Sequence, residues 1–178
     1  MNGLLERLGL RFDSEVSLMS DRCTFVERLK ETVNLTDPGM FSDIEDLFSS
    51  KEYEYKGRVG TNNFHLRRRR RFFDPTSGLA DVQGHMQERA GQLTIKMKFN
   101  GMRKMFIPYM LIVPAIYLFI VVVMISGGGS GGMSLPFGII FILIHGGFML
   151  GVPYFIMRRG ARRLKHDLER ELFFIANK

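Results

Sequence analysis

Five consecutive arginines, Arg67 to Arg71, are the densest chemical signal in this chain. A guanidinium presents a planar fork of donors that suits carboxylate and phosphate oxygens, so the run is a candidate anion contact. In an extended segment, alternation sends Arg67, Arg69 and Arg71 to one side with His65. Arg68 and Arg70 then go to the other side, with Phe64, Leu66 and Phe72. The first set, joined by Lys96 and Lys98 from a later alternating segment, makes a cationic face. Over anionic lipid headgroups such a face is worth on the order of 1 kcal/mol per basic residue near the surface. The second set enters an apolar face, where three outcomes are open. The strand extends past the core, the arginines meet acidic residues such as Asp43, Glu45 and Asp46, or they line a pocket for an anion.

Other reactive groups are sparse. His145 is the one titratable side chain inside a long apolar stretch. Its expected role is a structural hydrogen bond to a neighbouring helix, with a proton path as the sharper reading, against which no second polar group is visible. Cys23 is the single cysteine, which excludes an intramolecular disulfide. His65 and His85 could meet across neighbouring strands, but no carboxylate cluster stands beside them. No phosphate-binding glycine loop, metal-ligand spacing or Ser–His–Asp pattern stands out. The chain is therefore expected to be no enzyme and to need no cofactor or metal.

The elements that position these groups follow from charge. Residues 105–157 hold no Lys, Arg, Asp or Glu, in a chain that is 24% charged overall. That split excludes an ordinary soluble domain and excludes disorder as the main state. Two spans are expected, 105–125 and 136–157, each long enough for a bilayer core, joined by a glycine-rich loop at 126–135. Pro108 and Pro114 should kink the first span locally. Lys96, Lys98, Arg103 and Lys104 precede the pair, and Arg158, Arg159, Arg162, Arg163 and Lys165 follow it. The positive-inside rule then puts both termini in the cytoplasm. Gly147 and Gly151, four apart in the second span, suit a close helix–helix contact, within the hairpin or between copies.

Charge by segment supports this placement. Residues 1–55 carry −6, residues 56–104 carry +9 and residues 158–178 carry +4, which together give the net +7. An acidic first half tethered at a membrane makes nucleic acid an unlikely partner.

The first 104 residues are expected to form an α+β cytoplasmic domain. Ser20 or Asp21 caps a helix to about Val33, with Phe25, Val26, Leu29 and Val33 on one stripe. Met40 to Phe48 offers a second short helix, while residues 4–18 fit either a helical turn or a strand. From residue 51 the period becomes two. Segments around 53–59, 64–73, 79–87 and 93–99, separated by turn residues, predict an antiparallel β-meander of about four strands covered by helices. Only Asn100 to Lys104 separate the last strand from the first span, so the sheet is expected against the membrane surface. After the hairpin, Ala161, Leu164, Leu168, Leu172 and Ile175 form one stripe of a C-terminal amphipathic helix, residues 158–178. That stripe covers the chain's own sheet, contacts another subunit or lies in the membrane interface.

The function expected from all this is non-catalytic. The chain reads as a two-pass protein of the bacterial inner membrane that mediates assembly, as a homo-oligomer or as a subunit of a membrane complex. The alternative is a ligand-responsive effector or sensor that takes an anionic ligand on its arginine-rich strand.

Overall fold

A computed structural model describes residues 2–35, 53–70, 74, 76–89, 91–102, 106–126 and 135–178. The elements run α1 (Asn2–Arg7), β1 (Arg11–Leu18), α2 (Arg22–Thr32), β2 (Val33–Leu35), β3 (Tyr55–Val59), β4 (Asn63–Arg68), β5 (Asp81–Arg89) and β6 (Gln92–Asn100). Two long helices follow, α3 (Phe106–Ser126) and α4 (Leu135–Asn177). The chain divides into two compact units, one of residues 1–102 with 157–178, the other of residues 103–156. The expected helix at Met40–Phe48 lies outside the described residues.

The first unit is α+β, but its sheet is larger than the meander expected. It has six strands in the order β1-β6-β5-β4-β3-β2, and it is mixed. Strands β3 to β6 are joined in sequence and pair antiparallel, as their alternation requires. To this meander β1 adds antiparallel beside β6, and β2 adds parallel beside β3. Residues 4–18 are thus both things that their pattern allowed, a short helix and then a strand. The expected second strand, 64–73, stops at Arg68.

Local chemistry sets the boundaries. The Asp21 carboxylate accepts from the Thr24 amide at 3.1 Å and caps α2. Gly60 and Gly91 stand in the hairpin connections, and Gly91 has a φ of 77°, a left-handed conformation that glycine adopts without strain. In the connection after β4, Asp74 accepts from both the amide and the hydroxyl of Thr76, at 3.0 and 2.6 Å, which folds the chain back as an Asx turn.

Alternation gives the sheet one apolar face, and among the described residues two helices cover it. Leu66, Val82 and Phe99 lie in one cross-strand row, with Met97 and Phe64 in the next, all buried. From α2 come Phe25, Val26 and Leu29; from the last turns of α4 come Ala161, Leu164, Leu168, Leu172 and Ile175. The helical stripe after the charge-free stretch therefore covers the sheet of its own chain. Each such aliphatic side chain contributes about 2 kcal/mol when taken from water, so the four large ones together match the net stability of a typical domain.

Small residues let α4 approach. A Cβ on Gly101 would lie 2.8 Å from that of Ala161, and one on Gly160 would lie 2.7 Å from the Thr76 carbonyl oxygen. At the end of α4, Arg28 donates to the carbonyls of Ile175 and Ala176 at 3.3 and 3.4 Å, satisfying acceptors that the helix leaves open.

The second unit pairs α3 with the first half of α4. Both helices are long and apolar enough to cross a membrane. Pro153 lies inside α4 and has no N–H to give the Met149 carbonyl, its normal acceptor four residues earlier. The Tyr109 hydroxyl of α3 donates to that carbonyl at 2.7 Å. A proline defect on one helix is thus filled by a side chain of the other.

Gly84 allows a test of the sheet. The Phe64 ring rests on its backbone, where a Cβ would fall 2.1 Å from a ring carbon. Gly84→Ala should destabilise the first unit by about 1–3 kcal/mol, read as a lower denaturant midpoint. Combined with Phe64→Leu, it should cost less than the two single losses summed.

Candidate functional site

The sheet's two faces hold the basic residues in opposite ways. On the covered side, Arg68 is the last residue of β4 and lies opposite Tyr55 of β3. It is 8% exposed. Its Nη1 donates to Asp167 at 2.6 Å and its Nη2 to Glu54 at 2.5 Å. Burial alone would lower the guanidinium pKa, but the hydrogen bond and charge of Glu54 and the charge of Asp167 outweigh it, and the pKa is raised. Beside it, Tyr55 is pushed upward by burial first and by the Glu54 charge next. The chain of charges continues, since Arg163 lies 3.8 Å from Asp167 and donates to Asp74 at 3.0 Å. Burial works against the Asp74 carboxylate, yet the Thr76 hydrogen bonds and Arg163 hold its pKa below the usual value.

Among the three outcomes open to the inward arginines, Arg68 takes the acidic-partner one, with Glu54 and Asp167 in the role. Asp43, Glu45 and Asp46 lie outside the described residues, as does Arg71. Arg70 is exposed, and it lies past the end of β4, where alternation no longer applies. Arg67 and Arg69 are 4% and 8% exposed, so they form no open row with His65.

Further along the same sheet, on the face opposite the helices, exposed cationic groups collect among the described residues. Lys98 lies opposite Gln83, which lies opposite His65, which lies opposite Arg58. One row on, Lys96 lies opposite His85, which lies opposite Asn63. These two rows line an open hollow of about 660 Å³. His65 Nε2 and Asp81 Oδ2 are hydrogen-bonded at 3.0 Å. Lys96 and Lys98 are exposed, and among the described residues no carboxylate approaches either ammonium group within 4.0 Å. That holds although Glu15 and Asp13 of β1 are their neighbours in register. Of the expected contact residues, the structure brings Lys96 and Lys98 together with His65 and sets the buried arginines apart. His85, expected to meet His65 across neighbouring strands, stands on the adjacent strand one pair along; Arg58 and Asn63 are additions, and the only sequence signal for them is the register that the turns imply.

In the second unit, His145 has a partner after all. The Tyr117 hydroxyl meets its Nδ1, and Phe141 stacks on the imidazole with centroids 5.4 Å apart. A Cβ on Gly146 would lie 3.5 Å from the Tyr117 ring, an ordinary contact, whereas one on Gly147 or Gly151 would have nothing within 4 Å. Among the described residues no three His, Cys, Asp or Glu side chains gather as metal ligands would.

Comparison with protein-family models, curated proteins and solved structures finds no match for this chain.

The Arg68 bridge sets a prediction. Arg68→Met leaves two carboxylates facing each other and should cost about 2–4 kcal/mol in equilibrium unfolding. Adding Glu54→Gln and Asp167→Leu should recover most of that loss. Arg68→Lys should not, because one ammonium cannot serve both carboxylates with a fork's geometry.

Proposed function

We propose that the protein is a non-catalytic, two-span protein of the bacterial inner membrane with both termini in the cytoplasm. Its cytoplasmic domain serves assembly, with further copies of itself or with a membrane complex. One observation carries the reading: the core of the first unit draws on both sides of the charge-free stretch. Leu164, Leu168, Leu172 and Ile175 follow that stretch, yet they are buried in one cluster with Val82, Ile95 and Phe99, which precede it. A bilayer cannot divide a hydrophobic core, so both parts belong to one compartment. An even number of crossings satisfies that, and two helices of suitable length and hydropathy lie between. The basic residues on both flanks, with none in the loop, favour the cytoplasm.

Assembly is the reading for the domain's purpose because the second span keeps a small-residue face for a further helix. Gly147 and Gly151 lie one turn apart with open space beyond each Cα. In a bilayer, helices associate through such faces by close packing rather than by hydrophobic transfer.

Two experiments test this. With Cys23→Ser as background, a cysteine at Gly129 should react with an impermeant thiol reagent added to intact cells, while one at Asn177 should not; the reverse pattern ends the topology. For assembly, light scattering of the detergent-solubilised chain should give a multiple of 20.5 kDa. Gly147→Leu and Gly151→Leu should each reduce that mass, and an unchanged multiple in both variants excludes this face as the interface.

A further inference from the structure

We propose that the hollow on the sheet face opposite the helices binds a phosphate group carried by a small soluble molecule. Lys96 and Lys98 lie two residues apart on β6 and therefore extend from the same face. His85 and Gln83 stand opposite them on β5, and Asn63 and His65 stand one strand further. Neighbouring strands are about 4.8 Å apart and successive same-face residues about 7 Å, so the donors of one quadrant converge on a volume the size of a phosphate. A tetrahedral dianion has three oxygens to share among two ammonium groups, an imidazole and an amide, more than a carboxylate presents.

Charge explains why the site is open rather than self-satisfied. On the covered face the cation is spent on carboxylates, as Arg68 is on Glu54 and Asp167. On this face Asp81 holds His65. Asp13 and Glu15 stand on the edge strand, on the far side of the two lysines from the hollow. The lysines carry no ion pair with them among the described residues. An anion that reaches the hollow therefore gains two charges without displacing an internal partner. The hollow's volume, about 660 Å³, falls in the range of small-molecule sites, which points to a soluble phosphate ester rather than to a flat lipid surface.

The test uses the full chain in a zwitterionic detergent, with ring-labelled histidines, and sodium phosphate added at constant ionic strength against sodium chloride. Single His→Gln variants assign the four ring signals. The His65 and His85 signals should shift together and saturably, while those of His145 and His166 stay fixed and report that the fold is unchanged. In Lys96→Gln/Lys98→Gln, which alters two exposed side chains, the apparent affinity should fall about tenfold or more. No saturable shift, or an affinity unchanged in the double variant, overturns the proposal. A second arm places the chain in nanodiscs of phosphatidylcholine with and without phosphatidylglycerol, in buffer without inorganic phosphate. A response of His65 and His85 to the anionic lipid, with none to free phosphate, overturns it in favour of a headgroup contact.

Discussion

An apolar sheet face must be covered, and here the cover comes from the end of the chain. The inner residues of β4, β5 and β6 cannot be shielded by α2 alone, which offers three buried side chains. The remainder is taken by the last turns of α4, with Gly160 and Ala161 allowing close approach and Arg28 closing the helix end. Everything else in the first unit depends on that closure. Arg68 can be buried only because Asp167 arrives with α4; Ser14 finds Glu169 in the same way, and Lys165 sits over Phe12. Hydrophobic burial supplies the driving force. The ion pairs fix where along the sheet the helix stops, because a shift of one turn would leave a guanidinium without its carboxylate.

The same sheet treats positive charge in two ways. Inside, burial makes an unpaired cation costly, and the geometry answers with two carboxylates and a short chain of further charges through Arg163 and Asp74. Outside, water screens the cations and no such answer is required, so Lys96 and Lys98 stay available. Of the run, Arg67, Arg68 and Arg69 are buried and Arg70 is exposed. Alternation places Arg68 inward; the two that follow are beyond the strand.

The parts legible in the sequence are those with a local period. The stripe Ala161–Leu164–Leu168–Leu172–Ile175 and the four meander strands each repeat at a spacing that suits one element type, and the charge-free stretch shows by its length. What could not be read is non-local. Strand β1 pairs with β6, so Arg11 lies opposite Asn100 with most of the domain between them, and no pattern within β1 announces it. Strand β2, at three residues, is too short to show alternation. Asp167 stands on a helical face whose other charges meet solvent, and nothing nearby marks it as the partner of an arginine ninety-nine positions earlier. Tyr117 reads as one more aromatic in an apolar helix until the two helices are paired and its hydroxyl meets His145. The hollow needs register as well as alternation, since His85 stands beside Lys96 only once the turn at Gly91 is fixed.

The shared core also orders events in time. Synthesis proceeds from the first residue, so the six strands exist before any residue of the covering stripe has been made. Through that interval Phe99, Val82 and Leu66 have no complete shield. With both apolar helices in the membrane, the stripe returns to the compartment of the sheet only after two successful crossings. A chain that stalls after one crossing carries its last helix to the wrong side and leaves the sheet bare. Exposed apolar strands are what chaperones and proteases engage, so in a two-crossing chain the burial of this sheet face depends on both crossings.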